Sequence, residues 1–337
     1  MDEATLTLKD DLLRWARRHF VDPAILDLRD LGGHSGETWA FACEHAAGRT
    51  ELVLRLAARG NDDAANAALV RQGTLLSALK ASGIKVAGVR DASAESDLFG
   101  RGYIIVDMLA GRPLIMGPEG ETPWLSAKDR DAAYLAAARE LARINGVPVE
   151  SLAGWAAMRS PMEEIELWAP AMARAADPAW AEEGARLGDT LRQSAPEAFT
   201  AAVCHGDFQT NNVLFEARPG AIVVGGVVDW EIAHLGAAEL DLAWFMMMND
   251  PDAWDAVEQR GNVDLVAVQA AYEDERGAAL RDLSWYRALA GYKIAAIAGY
   301  KIRLHRKGYK HDEAWERASS SLPVFFSRAY AMLEKAA

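Results

Sequence analysis

From Ala201 to Trp230 the residues read AAVCHGDFQTNNVLFEARPGAIVVGGVVDW, set among stretches with helical spacing. Two apolar runs, NVLFEA and AIVVGGVV, flank the turn signal RPG, which predicts a β-hairpin. A hairpin returns the chain to its starting point, so residues just before its first strand and just after its second share one end. Those residues are polar: Asp207 and Asn212 precede the hairpin, and Asp229 follows it. Two of the three are carboxylates, which repel each other and lose hydration beside a buried ribbon unless something positive is present. Oxygen ligands of this kind suit Mg²⁺, which usually takes one or two carboxylates together with phosphates and waters. The alternative for such residues is a turn that caps itself through Asx-type hydrogen bonds.

The rest of the chain divides by composition. MDEATLTLKDDLLRWARRHF has the spacing of an amphipathic helix, with Leu12, Leu13, Ala16 and Phe20 on one face. AILDLRDL, TWAFACEH and TELVLRLA are then joined by the Gly-containing segments GGHSGE and AAGR, the pattern of an antiparallel meander. DDAANAALVRQGTLLSALKAS has helical spacing, with Gly83 as its stop, and IKVAGVRDA and GYIIVDML read as two further strands. Residues 25–109 are therefore expected to form a five-stranded sheet with one helix inserted after the third strand. Beyond Gly111 the pattern is mainly helical, apart from the hairpin. The expected organisation is α+β, with one lobe at residues 1–109 and a larger, mainly helical lobe at 110–337.

Bulk properties narrow the function classes. The 337 residues carry 36 basic and 49 acidic side chains, a formal charge of −13, which argues against general binding to nucleic acid backbones. No apolar run reaches membrane-spanning length and the N-terminal stretch lacks the apolar centre of a signal peptide, so a cytoplasmic protein without membrane contact is expected. Cys43 and Cys204 are too far apart and too few for a disulfide framework or a zinc site, and read as core thiols in a reducing compartment.

The order Asp207, Asn212, hairpin, Asp229 is the one phosphoryl transfer uses: one Asp aligns the attacking hydroxyl and accepts its proton, while an Asn and a second Asp hold Mg²⁺ on the nucleotide phosphates. The spacing Asp-x4-Asn matches the catalytic loop of protein kinases. HGDFQTNN followed by VVDWEIAHLGAAELDLAW resembles the aminoglycoside phosphotransferase and choline kinase-like family, a branch of the protein-kinase-like fold. GGHSGETWAF, VLRL and YIIVDMLAGRPL resemble a subgroup that includes the kinase-like domain fused to some acyl-CoA dehydrogenases. The resemblance spans roughly residues 25 to 250. It implies a bilobal fold with a nucleotide-binding N-terminal lobe, ATP and Mg²⁺ as cofactors, and a small-molecule hydroxyl as acceptor in the helical lobe of a monomer or dimer. It also implies Asp207 as catalytic base, His205 as a structural member of its loop, Asn212 and Asp229 as metal ligands, and Asp241 as a buried carboxylate receiving backbone donors.

In the N-terminal lobe the resemblance implies that Gly33, Ser35 and Gly36 approach the phosphates, and that adenine meets the backbone from Asp107 to Leu109. Arg55 stands where the family's phosphate-binding Lys is expected, keeping the charge but exchanging a point charge for a planar fork. Gln72 stands at the position of the Glu that should hold that cation, so Asp62, Asp63 or Glu44 is a candidate substitute. Asn145 replaces an expected His, which puts one support of the catalytic loop in doubt. Toward the C-terminus, Lys293, Lys301, Arg303, His305, Arg306, Lys307 and Lys310 collect positive charge, read chiefly as a solvated face. Trp155, Trp168, Trp230 and Trp244 either pack or line a pocket. Gln72, Arg55 and Asn145 keep a second reading open, a nucleotide-binding regulator with little catalysis.

Overall fold

The structure, a computed structural model, describes residues 3–32, 36–58, 63–95, 97–115, 124–255 and 263–336. It divides into two compact units, Met1–Ala110 with Gly226–Glu231, and Gly111–Gly225 with Ile232–Ala337.

The first unit begins with α1 (Glu3–His19), continues through β1 (Ala24–Asp30), β2 (Gly36–His45) and β3 (Gly48–Ala57), and adds α2 (Asp63–Ala81), β4 (Val89–Ser93) and β5 (Tyr103–Asp107). The five strands form one antiparallel sheet in the order β1-β2-β3-β5-β4, with α2 after the third strand as the periodicity predicts. The apolar stripe of α1 buries Leu8, Leu12, Trp15 and Ala16 with Phe41, Cys43, Leu52, Leu54 and Ile105 of the sheet. The indole of Trp15 also donates to Asp91 Oδ2 at 2.9 Å, so this helix is fastened as well as packed. At Gly73 α2 lies close on the sheet, where a Cβ would meet Ala92 and Ile104 in ordinary contact at 3.4 Å. IKVAGVRDA enters the sheet only at Val89, since its first half runs as a bonded loop in which the Gly88 carbonyl accepts from Asp107 N at 2.8 Å.

The second unit holds β6 (Arg112–Pro113), α3 (Ala127–Asn145), α4 (Pro161–Met172), α5 (Pro178–Gln193) and β7 (Ala201–Cys204). The predicted hairpin follows as β8 (Val213–Arg218) and β9 (Ala221–Val227), whose last two residues belong to the first unit. Then come β10 (His234–Ala237), α6 (Ala238–Asn249), α7 (Leu265–Arg276), α8 (Leu283–Arg306), α9 (Glu313–Arg317) and α10 (Leu322–Ala336). The hairpin forms a three-stranded sheet with β6, while β7 pairs with β10 from Ala201↔Ala237 to Cys204↔His234. Helix α8 is the centre of this unit, with α4, α6 and α10 packed around it. Both cysteines are buried thiols. Among the described residues no helix is long and apolar enough to cross a membrane.

Candidate active site

Strand β7 delivers His205, Gly206 and Asp207 to a loop in which His205, Gly206, Phe208, Thr210 and Asn212 are buried and Asp207 is half-buried. Gly206 has φ 82°, and a Cβ there would lie 2.7 Å from the Ile232 carbonyl, so the turn accepts only glycine. The peptide N–H groups of His205 and Gly206 donate to Asp241 Oδ2 at 2.7 Å and Oδ1 at 2.9 Å. Asp241, in the first turn of α6, is buried, and two backbone donors are what an interior carboxylate requires. Asn145, at the end of α3, does not leave the loop unsupported. Its Nδ2 donates to the Val203 carbonyl at 2.9 Å and to Asp241 Oδ2 at 3.1 Å, and its Oδ1 accepts from Tyr272 OH at 2.8 Å. An amide offers a donor and an acceptor at once, so Asn145 joins three elements. Burial pushes the Tyr272 phenol well above its ordinary range. His205 is buried, its Nδ1 accepting from Asp207 N at 3.3 Å and its ring edge-on to Phe208.

Asp207 and Asn212 are brought together. Trp244 Nε1 donates to Asp207 Oδ1 at 3.0 Å, and Gln209 Nε2 lies 3.1 Å from both carboxylate oxygens. Asn212 Nδ2 donates to the Asp207 carbonyl at 2.9 Å and lies 3.4 Å from Oδ2. With its nitrogen so placed, Asn212 has Oδ1 as the atom to offer a hard cation. The loop thus holds an acceptor-only carboxylate in one orientation, the form a proton-accepting group needs.

Beneath the loop lies a group that sequence reasoning placed elsewhere. Lys293, in α8, is fully buried and donates from Nζ to the Gly206 carbonyl. Its ammonium sits 4.3 Å from the centre of the Trp244 ring and 5.4 Å from that of Trp168. Burial pulls Lys293 below the ordinary lysine range, against the charges of Glu164, Asp207 and Asp241. Glu164, also buried, accepts from Trp168 Nε1 at 2.8 Å and pairs with Arg159 at 2.8 Å. Burial would raise the Glu164 carboxyl, but the charges of Lys293 and His234, with the Trp168 and Arg159 hydrogen bonds, hold it below its ordinary range. The expectation of a solvated cationic face fails for Lys293, because α8 is buried without a break from Ala288 to Ala296, where residue spacing carries no sidedness. It does describe the helix end, where Lys301, Arg303 and His305 are half-buried and Arg306 and Lys307 exposed.

In the first unit, Arg55 projects from β3, donates from Nη1 to Gln72 Oε1 at 3.3 Å and forms an ion pair with Glu231. The acid absent from α2 is thus supplied by Glu231, two residues after Asp229. Glu44 and Asp63 are exposed and not bonded to Arg55, and Asp62 lies outside the described residues. The signal for Glu231 was present in the sequence, in the Glu of DWE. Gly33 and Ser35 also lie outside the described residues. Gly36 opens β2 so close to its neighbour that a Cβ would lie 2.3 Å from the Leu56 carbonyl. Asp107 N is used by the Gly88 carbonyl and Met108 N by the Glu51 carbonyl. Among the described residues no backbone acceptor meets Leu109 N, which leaves it as the donor of this segment. The Asp107 carboxylate pairs with Arg90.

Asp229 belongs to the segment 226–231 and so to the first unit, whereas Asp207 and Asn212 belong to the second. It holds φ 65°, a left-handed conformation that an Asp tolerates better than most residues. The segment is pinned on either side of it: Val227 N donates to the Lys85 carbonyl at 2.7 Å and Trp230 Nε1 to the Val227 carbonyl at 3.0 Å. Among the described residues no group of three or more His, Cys, Asp or Glu side chains is arranged as a metal site. Asn212 Oδ1 in the second unit and the Asp229 carboxylate in the first are each an oxygen donor of the kind Mg²⁺ takes together with phosphates and water.

Residues 27–289 match the phosphotransferase enzyme family. Acyl-CoA dehydrogenase family member 10 of Mus musculus is 26% identical over 197 residues, covering 58% of this chain and 18% of that relative. The chain thus spans less than a fifth of the length of that relative. Among solved structures, a Ralstonia eutropha protein assigned as an aminoglycoside phosphotransferase superposes with a TM-score of 0.75 at 21% identity, covering 96% of this chain and 98% of the other. The GDP complex of wild-type aminoglycoside 2'-phosphotransferase-IIIa gives a TM-score of 0.63 at 15% identity, covering 96% and 99%. At these identities the two structures share a fold with this chain, and that fold is kinase-like.

Proposed function

The chain belongs to the phosphotransferase enzyme family, and from that membership we propose that it is an ATP- and Mg²⁺-dependent kinase of small molecules that phosphorylates a hydroxyl group. The observation that carries this reading is the Asp207 carboxylate, fixed by Trp244, Gln209 and Asn212 in a loop whose backbone donors are satisfied by Asp241. Asp207 orients the acceptor hydroxyl and takes its proton as the oxygen forms a bond to the γ-phosphorus and the bond to the β–γ bridging oxygen breaks, releasing ADP. Arg55 meets the phosphates, and Gln72 orients its guanidinium without neutralising it. The backbone N–H of Leu109 meets the adenine edge. Gly33, Ser35 and Gly36 cover the phosphates, where glycine permits close approach. Asn212 and Asp229 would hold Mg²⁺, whose charge would offset that of the phosphates. The buried thiols fit a reducing, cytoplasmic setting.

Incubating the protein with ATP, Mg²⁺ and a panel of metabolite and antibiotic alcohols, and reading each by mass spectrometry, tests the proposal. A phosphate-sized mass gain on one acceptor, absent with Asp207→Asn, is expected. A second reading, a nucleotide-binding regulator, is favoured by the Arg55–Glu231 pair, which already occupies the phosphate-binding cation. It predicts nucleotide binding by calorimetry with no phosphorylated product from any acceptor.

A further inference from the structure

Lys293 poses a physical problem that the proposed function does not solve. An ammonium taken fully out of water is costly and is kept only where its partners use it. Glu164 is the obvious counter-ion, yet Glu164 already accepts from Trp168 and pairs with Arg159. The hydrogen bond Lys293 makes is to the Gly206 carbonyl, the peptide that leads directly into Asp207. Its charge lies against the face of Trp244, the same indole whose N–H donates to Asp207 Oδ1. One cation thus restrains the backbone before Asp207 and the ring that grips its carboxylate. The ring is nearly buried, and α6, which carries it, also carries Asp241. Lys293 has about 1% exposure, too little to receive an acceptor itself.

We infer that Lys293 and Trp244 form a positioning pair for Asp207, in which the buried ammonium sets the indole and the Gly206 peptide, and the indole N–H fixes one carboxylate oxygen. The inference rests on the reading of Asp207 as the proton-accepting group. It adds two residues that touch neither nucleotide nor acceptor, and it gives the cation a task at the catalytic loop beyond its charge interaction with Glu164.

Two measurements test it. The first does not depend on activity. In ¹H–¹⁵N spectra the Trp244 indole resonance, identified by its loss in Trp244→Phe, should move in Asp207→Asn and again in Lys293→Met. An indole signal unmoved by Lys293→Met overturns the inference. The second uses the acceptor found by the mass-spectrometric screen. Trp244→Phe keeps the ring but removes its donor, and should lower kcat about 10- to 100-fold, the scale of one charge-assisted hydrogen bond, with the nucleotide KM within about twofold. Unchanged kcat, or a loss confined to KM, also overturns it. If Lys293→Met alone does not fold, Lys293→Met combined with Glu164→Gln removes both buried charges and is read in the same way. If wild-type protein phosphorylates nothing, the proposed function fails, while the indole resonance still decides whether Lys293 and Trp244 hold Asp207.

Discussion

The two polar centres of this chain are built on opposite principles. Around Arg55 the contacts are few and reach solvent: the guanidinium side chain is 22% exposed, its Glu231 partner 36%, and its second contact is a neutral amide at 3.3 Å. Around Asp207 most supporting groups are interior, and several bonds have a second bond behind them. Asp241 holds two peptide N–H groups, Asn145 holds Asp241, and Tyr272 holds Asn145. Exposed ion pairs contribute little and rearrange readily, whereas interior networks are costly to leave half-satisfied. Under the proposed function, the first contact would be exchanged for ligand phosphates and the second would already be in place when chemistry begins.

The sharpest break in the interior centre is Asp207→Asn, which keeps shape but cannot take a proton. Turnover should fall about 10²- to 10⁴-fold, the usual contribution of general-base catalysis, while calorimetry shows nucleotide binding near the wild-type value. Full activity would remove Asp207 from the mechanism. Next is Asp241→Ala, which strands the peptide donors of His205 and Gly206 together with Asn145 Nδ2. Unfolding in urea should show a loss of about 3–5 kcal/mol, as for other buried charged partners.

The exposed centre should respond quite differently. Arg55→Ala should raise the nucleotide KM about tenfold, whereas Glu231→Gln, which frees the guanidinium of a competing anion, should lower it by about two- to fivefold, with stability changed by less than about 1 kcal/mol in the second case. A Glu231→Gln protein as destabilised as Asp241→Ala would erase the contrast. The smallest effect concerns His234, which burial, with Arg159 and Lys293, holds below the ordinary imidazole range against Glu164 and Asp241. Between that lowered value and the ordinary one the unfolded chain binds more protons, so stability rises with pH through this window and falls on acidification. His234→Gln should flatten that part of the pH–stability curve, measured by denaturant titration at a series of pH values.

What the residues alone could determine was whatever depends on local pattern. Alternation and Gly-marked turns defined the five-stranded sheet, helical spacing placed α2 after its third strand, and RPG between two apolar runs defined β8 and β9. The same local order of polar residues singled out Asp207 and Asn212, which the fold does bring together. The strand β10 was not legible, because HLGA is four residues long and gains its identity only by pairing with β7. Glu231 stood in plain view after Asp229, but nothing local says that it, rather than an acid of α2, meets Arg55. Lys293 was the least legible, since a lysine followed by further cationic residues reads as a wet surface until three packed helices close around it. Sequence pattern reports which face of an element is apolar. Only tertiary structure decides which polar groups are sealed in with it, because burial and partner choice are set by residues remote in the chain.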